Sequence, residues 1–186
     1  MRSILILGGA RSGKSRYALE LAQEMSGKVL FVATAAAEDE EMRQRIEAHR
    51  RHRPGAWCTL EATRDIGRRI EHEAGDAGVV IIDCITLLLA NIFGEQPDTG
   101  AESFDSASLE VRASAEIDEI VACMKKVDAA FILVSNEVGW GLVPPNRMGR
   151  LYRDMLGKAN QTLAQSVGEV YLMVAGFPLV IKAPGP

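Results

Sequence analysis

Eight residues, Gly8-Gly9-Ala10-Arg11-Ser12-Gly13-Lys14-Ser15, constrain the fold of this chain more than any others. They follow the apolar run Ile4-Leu5-Ile6-Leu7 and open an amphipathic stretch, so a strand is expected to enter a tight loop and continue as a helix over about 13–25. Glycines let backbone N–H groups turn inward, and the helix that follows presents the positive end of its dipole. Loops of this kind cradle phosphate. Their lysine, here Lys14, reaches the β- and γ-phosphates, and their serine hydroxyl, here Ser15, meets Mg²⁺. The loop therefore predicts triphosphate binding and is silent on what is done with it.

Beyond the loop, short β-branched runs alternate with longer amphipathic stretches. Strands are expected at 4–7, 28–33, 79–83, 131–134, 169–174 and 179–181. Helices are expected near 38–52, 63–73, 106–126 and 147–165, with a polar, mobile loop over 94–100 and a frayed tail at 184–186. Strands that are apolar throughout belong to a parallel sheet covered on both faces, and their alternation with helices gives an α/β sandwich. The expected fold class is thus α/β, a mostly parallel sheet with helices on both faces. At 186 residues the chain is most economically a single domain over 1–186.

A formal net charge of −4 and a pI near 5.5 argue against a nucleic-acid binder that works through bulk positive charge. No segment approaches the roughly 20 apolar residues of a spanning helix. The N-terminal apolar run is too short for a signal peptide, so no membrane insertion and a cytoplasmic location are expected. Cys58, Cys84 and Cys123 form no CxxC pair, which suits a reduced compartment, and Cys84 and Cys123 read as small buried hydrophobes. Trp57 and Trp140 read as packing residues.

A second expected element is a carboxylate ending a buried strand, and Val79-Val80-Ile81-Ile82-Asp83 supplies it. Ionised Asp83 would hold Mg²⁺ directly or through water; alternatively it caps the next helix, 85–91. The helix near 38–52 begins with Glu38-Asp39-Glu40-Glu41 and ends among Arg43, Arg45, Arg50, Arg51 and Arg53 around His49 and His52. Dipole matching explains the order of signs. It does not explain so many arginines in an acidic protein, and the alternative is an anion site facing the phosphate loop. A neutral histidine there is a competent nucleophile, although spacing alone does not single out His49.

Together these motifs resemble the bifunctional adenosylcobinamide kinase/adenosylcobinamide-phosphate guanylyltransferase family of cobalamin biosynthesis. The resemblance runs through Gly8–Ser15, Ala33-Thr34-Ala35, Arg45-Ile46-x-x-His49, Arg53-Pro54-x-x-Trp57-x-Thr59-x-Glu61 and Asp83-Cys84-Ile85-Thr86. It continues through Ser135-Asn136-Glu137-Val138-Gly139-x-Gly141-x-Val143-Pro144, Arg153-Asp154-x-x-Gly157-x-x-Asn160-Gln161 and Ala175-Gly176-x-Pro178. The resemblance implies a P-loop NTPase with a RecA-like sheet, assembled as a homotrimer with sites near subunit contacts. It implies phosphorylation of adenosylcobinamide by ATP or GTP, then attack on the α-phosphate of GTP by a histidine, and transfer of GMP to adenosylcobinamide phosphate. The histidine falls on His49. Arg50, Arg51, His52 and Arg53 fall on the guanine nucleotide site, with Ala33, Thr34, Ala35, Glu61 and Asp83 as further nucleotide contacts. Asn136 and Glu137 are either contacts for the corrinoid arm or a turn signature, and Asn160 and Gln161 read as bridging subunits. Two alternatives are a plain P-loop small-molecule kinase, which needs no covalent histidine, and a non-catalytic nucleotide-binding module.

Overall fold

The computed structural model describes residues 1–36, 40, 43–44, 47, 50, 53–94 and 104–183. Along the chain run β1 (Ser3–Gly8), α1 (Lys14–Glu24), β2 (Lys28–Ala33), β3 (Cys58–Glu61), α2 (Ile66–Glu73), β4 (Ala77–Asp83) and α3 (Ile85–Gly94). Then come α4 (Ser106–Lys126), β5 (Ala130–Val134), α5 (Arg147–Ser166), β6 (Glu169–Val174) and β7 (Phe177–Lys182). Between β2 and β3, Glu40, Arg43, Gln44, Glu47 and Arg50 are helical; the rest of the helix expected over 38–52 lies outside the described residues. Gly94 ends α3; the rest of the loop expected over 94–100 and the tail at 184–186 lie outside the described residues.

The strands form one sheet in the order β3-β2-β4-β5-β1-β6-β7, parallel throughout except for the β6–β7 pair. Successive side chains point to opposite faces. Ile4, Ile6, Phe31, Ile81 and Val134 pack toward Ala18, Leu21 and Ala22 of α1. Leu5, Leu30, Val80, Ile82 and Leu133 pack on the other face among residues of α2, α3, α4 and α5. Ile4, Leu5 and Ile6 are each 0% exposed, which is why these runs are apolar without alternation. The expected α/β class, with helices on both faces of a mostly parallel sheet, is the one observed.

Three elements differ from expectation. Cys58–Glu61 is a strand although only Leu60 in it is buried, so it carries almost no apolar pattern. The last strand, expected at 179–181, runs over Phe177–Lys182 and lies antiparallel to β6. Only Ala175 and Gly176 separate β6 from β7, at φ of 50° and 89°, and such a two-residue turn with both φ positive makes an antiparallel hairpin. All of β7 is exposed. The helix expected from residue 63 begins at Ile66, because the Glu116 carboxylate on α4 accepts from the amides of Asp65 (3.0 Å) and Ile66 (2.8 Å). That buried carboxylate takes amides a helix start leaves without partners.

Candidate active site

Parallel pairing gathers distant sequence blocks on one edge. Glu61 lies opposite Ala33, Ala33 opposite Asp83, Asp83 opposite Val134, and Val134 opposite Ile6, with Gly8 ending β1 just beyond. The phosphate loop, Ala33–Ala35, Glu61 and Asp83 therefore all sit at or just past the carboxyl ends of adjacent strands, where open α/β sheets bind ligands. With neighbouring strands about 4.8 Å apart, this edge spans roughly 19 Å from β3 to β1.

The loop needs two of its glycines. Gly8 has φ 153°, and a Cβ there would stand 2.6 Å from Ser12 Oγ and 2.7 Å from the Met173 carbonyl oxygen. Gly13 has φ 100°, and its Cβ would stand 3.2 Å from Gly176 Cα. Gly9 faces open space. The β6–β7 turn braces the loop through Gly176 N donating to Ser12 O (2.9 Å). The start of α1 has no side-chain cap and no acidic residue in its first turn, so its leading amides and dipole are left for an anion. A cavity of about 290 Å³ opens there, lined by Arg11, Ser12, Gly13, Lys14, Ser15 and Arg16.

Lys14 is buried, and its Nζ donates to the Gly9 carbonyl (2.6 Å). Burial lowers its pKa, while Cys84 and Asp83 pull it back up, which places Asp83 electrostatically against the loop. The first turn of α3 runs from Leu88 N to Cys84 O (3.1 Å), so Cys84 occupies the cap position considered for Asp83. The half-buried Ser15 hydroxyl and the Asp83 carboxylate are oxygen donors suited to Mg²⁺, which takes few protein ligands beside phosphate and water. Thr34 is fully buried; its Oγ donates to Cys84 O (2.7 Å) and accepts from Cys84 N (2.8 Å). It fastens β2 to the segment that carries Asp83. The Cys84 thiol itself is pushed up to about 11 by burial, as suits a packed, unreactive group.

At the β3 end, a cavity of about 590 Å³ is lined by Arg50, Arg53, Trp57, Glu61, Arg69 and Glu73, among others. Arg50 is ion-paired with Glu61. The Arg53 guanidinium lies 3.8 Å from the Phe31 ring centroid, and its Nε and Nη1 are buried without hydrogen-bond partners. Burial lowers its pKa, against Asp83 and Glu61, which raise it. A guanidinium held on an aromatic face with unspent donors is a ready anion contact. Trp57 packs against the core, as expected. His49, Arg51 and His52, with Arg45, lie outside the described residues.

Two polar residues that no sequence signal named, Asn91 and Tyr152, help shape this edge beside Thr34, Thr86 and Asn136. Asn136 N donates to Thr86 Oγ (2.7 Å), Tyr152 OH to Thr86 O (2.8 Å), and Asn91 Nδ2 to Thr34 O (2.8 Å). Asn160, read as a subunit bridge, is instead buried inside the chain and donates to Asn136 O (3.1 Å). The usable signal is a polar residue inside an apolar stripe, as Asn91 is in α3. Glu137 behaves as a turn residue, its carboxylate accepting from Gly139 N (2.7 Å). Trp140 is 78% exposed, which overturns its reading as a packing residue.

The family model described as cobinamide kinase / cobinamide phosphate guanyltransferase matches residues 4–181. The bifunctional adenosylcobalamin biosynthesis protein CobU of Escherichia coli (strain K12) is 39% identical over 96% of this chain and 99% of its own. Protein CobP of Pseudomonas aeruginosa, with the same bifunctional description, is 38% identical over 96% of each. The crystal structure of the RadB recombinase is similar at a TM-score of 0.49 and 17% identity, covering 92% of this chain and 73% of that one.

Proposed function

Because this chain belongs to the cobinamide kinase / cobinamide phosphate guanyltransferase family, we propose that its strand-end site seats two nucleoside triphosphates in turn, one for each of two successive transfers, within a single catalytic domain over 1–186. In the first, the γ-phosphate of ATP or GTP passes to the hydroxyl of the aminopropanol arm of adenosylcobinamide. In the second, an imidazole nitrogen of His49 attacks the α-phosphorus of GTP, an N–P bond forms and pyrophosphate leaves. The phosphate made in the first step then attacks the same phosphorus, the N–P bond breaks, and adenosylcobinamide-GDP departs.

The observation that carries this reading is the in-register edge joining the phosphate loop to the arginine cavity. A nucleotide along it would set its phosphates on the loop amides and Lys14, and its nucleoside toward β3. Arg50, Arg51, His52, Arg53 and Glu61 are proposed to line the nucleoside end, with Ala33, Thr34 and Ala35 between. The orphaned Arg53 nitrogens and the Arg50–Glu61 pair support that assignment. Ser15 and Asp83 would hold Mg²⁺, which when bound neutralises charge on the departing phosphate or pyrophosphate. Preorganised loop amides and Lys14 stabilise the same charge with little rearrangement.

The assembly is proposed to be a homotrimer in the cytoplasm. Phe177, Leu179, Val180 and Ile181 on the edge strand β7 are 55–76% exposed, and an unpaired apolar edge invites a second copy. Cys84 and Cys123 are free and buried, as suits a reducing compartment. No helix among the described residues is long and apolar enough to cross a membrane.

The test is incubation with GTP labelled in the α-phosphate. Label should enter the protein in an acid-labile, base-stable linkage, with release of pyrophosphate, and adenosylcobinamide phosphate should chase it into adenosylcobinamide-GDP. Phosphate transfer without any protein labelling would leave a plain kinase.

A further inference from the structure

Trp140, Leu142 and Val143, on the segment between β5 and α5, are 78%, 97% and 63% exposed. Grouped apolar side chains of this size on a surface mark a binding site more often than chance exposure. The segment is braced. At its start, Glu137 N donates to Gly8 O (3.0 Å), the first glycine of the phosphate loop, and the Glu137 carboxylate accepts from Gly139 N. At its end, Arg150 Nη1 donates to the carbonyls of Pro144 (3.1 Å) and Pro145 (2.7 Å), and Asn146 Oδ1 caps α5 through Gly149 N (2.6 Å). Both stems are fixed, so the apolar tip is held in water by structure rather than by slack.

A nucleotide has no use for such a tip, since the loop and the arginine cavity meet its phosphates and nucleoside with polar groups. The corrinoid acceptor does. Its reacting hydroxyl ends a flexible arm, so the arm alone must enter the polar edge, and the large ring, whose periphery carries methyl groups among its amide side chains, must rest on surface beside it. The β6–β7 turn also touches the phosphate loop, but its apolar residues continue along an open strand edge that suits another chain. The tip at 140–143 is not a strand and offers no such edge.

We propose that Trp140, Leu142 and Val143 form the apolar seat of the corrin ring, holding it while the arm presents its hydroxyl to the nucleotide on the phosphate loop. The seat rests on the function proposed above and adds residues that position the acceptor rather than touch the reacting atoms.

Steady-state phosphate transfer by the full chain tests it, with Trp140→Ala, Trp140→Phe and Leu142→Ser. Losing one buried aromatic contact should raise KM for adenosylcobinamide about tenfold in Trp140→Ala, with kcat within about twofold, and Phe should restore most of the loss. Labelling by α-labelled GTP, which needs no corrinoid, should stay at the native level. In a Trp57→Phe background Trp140 is the sole tryptophan, and adenosylcobinamide should quench its emission saturably. Native KM in both Trp140→Ala and Leu142→Ser, or no saturable quenching, overturns the seat. A change in assembly mass with KM unmoved would also overturn it, making the tip a contact between copies. If the native protein transfers no phosphate to adenosylcobinamide, the proposed function fails instead, and quenching alone then decides whether the ring sits here.

Discussion

Lys14 donates to the Gly9 carbonyl, a partner it would exchange for phosphate oxygens in the proposed function. Lys14→Ala should therefore reduce both transfers by about 10²–10³-fold, measured as initial rates at saturating nucleotide. Lys14→Arg should not rescue them, because a planar fork does not replace a compact ammonium in this buried space. Arg53→Lys loses the flat contact with Phe31, and KM for GTP should rise about tenfold while thermal stability changes little. The loop residues were legible because their chemistry is local: a few glycines, a lysine and a serine at fixed spacing. The braces were not. Thr34 finds Cys84 50 positions away and Asn160 finds Asn136 24 positions away, and no local pattern announces either pair. Trp140 was misread because an aromatic residue in sequence carries no mark of which way it faces.

At the scale of elements, strands buried on both faces read directly from composition, and their order along the edge did not. Glu61, Ala33 and Asp83 become neighbours through the register of β3, β2 and β4, which only long-range pairing fixes. The short strand β3 hid because one buried leucine makes no pattern. The direction of β7 is legible in its two-residue turn, Ala175-Gly176. The start of α2 depends on α4, and this gives a prediction. Glu116→Ala strips a buried acceptor from two amides and should cost about 2 kcal/mol. The check is a lower denaturant midpoint with an unchanged slope.

Across the whole molecule, Arg2, just ahead of β1, pairs with the buried Glu169 on β6 (2.6 Å), and Tyr171 OH donates to the same carboxylate (2.7 Å). The Arg2 hydrogen bond holds the Glu169 pKa below its ordinary 4.5. The carboxylate's contribution is thus complete above about pH 4.5 and is lost as pH falls through the lowered value. Glu169→Gln should lower stability by about 1.5–3 kcal/mol at pH 7 and flatten that acid limb, followed by thermal unfolding from pH 7 to 3. At the opposite end of the sheet order from β3, Leu179→Lys combined with Ile181→Lys should reduce the proposed trimer to a single chain by light scattering. An unchanged mass would remove β7 from the interface.

A double-label experiment decides whether a single nucleotide seat serves both reactions. Protein is given GTP carrying one label in the α-phosphate and another in the γ-phosphate, with adenosylcobinamide present. The expected result is that His49→Ala loses α-label on the protein but still moves γ-label to adenosylcobinamide, whereas Lys14→Ala loses both. Full α-labelling in Lys14→Ala, with γ-transfer gone, would instead put the two reactions on different seats.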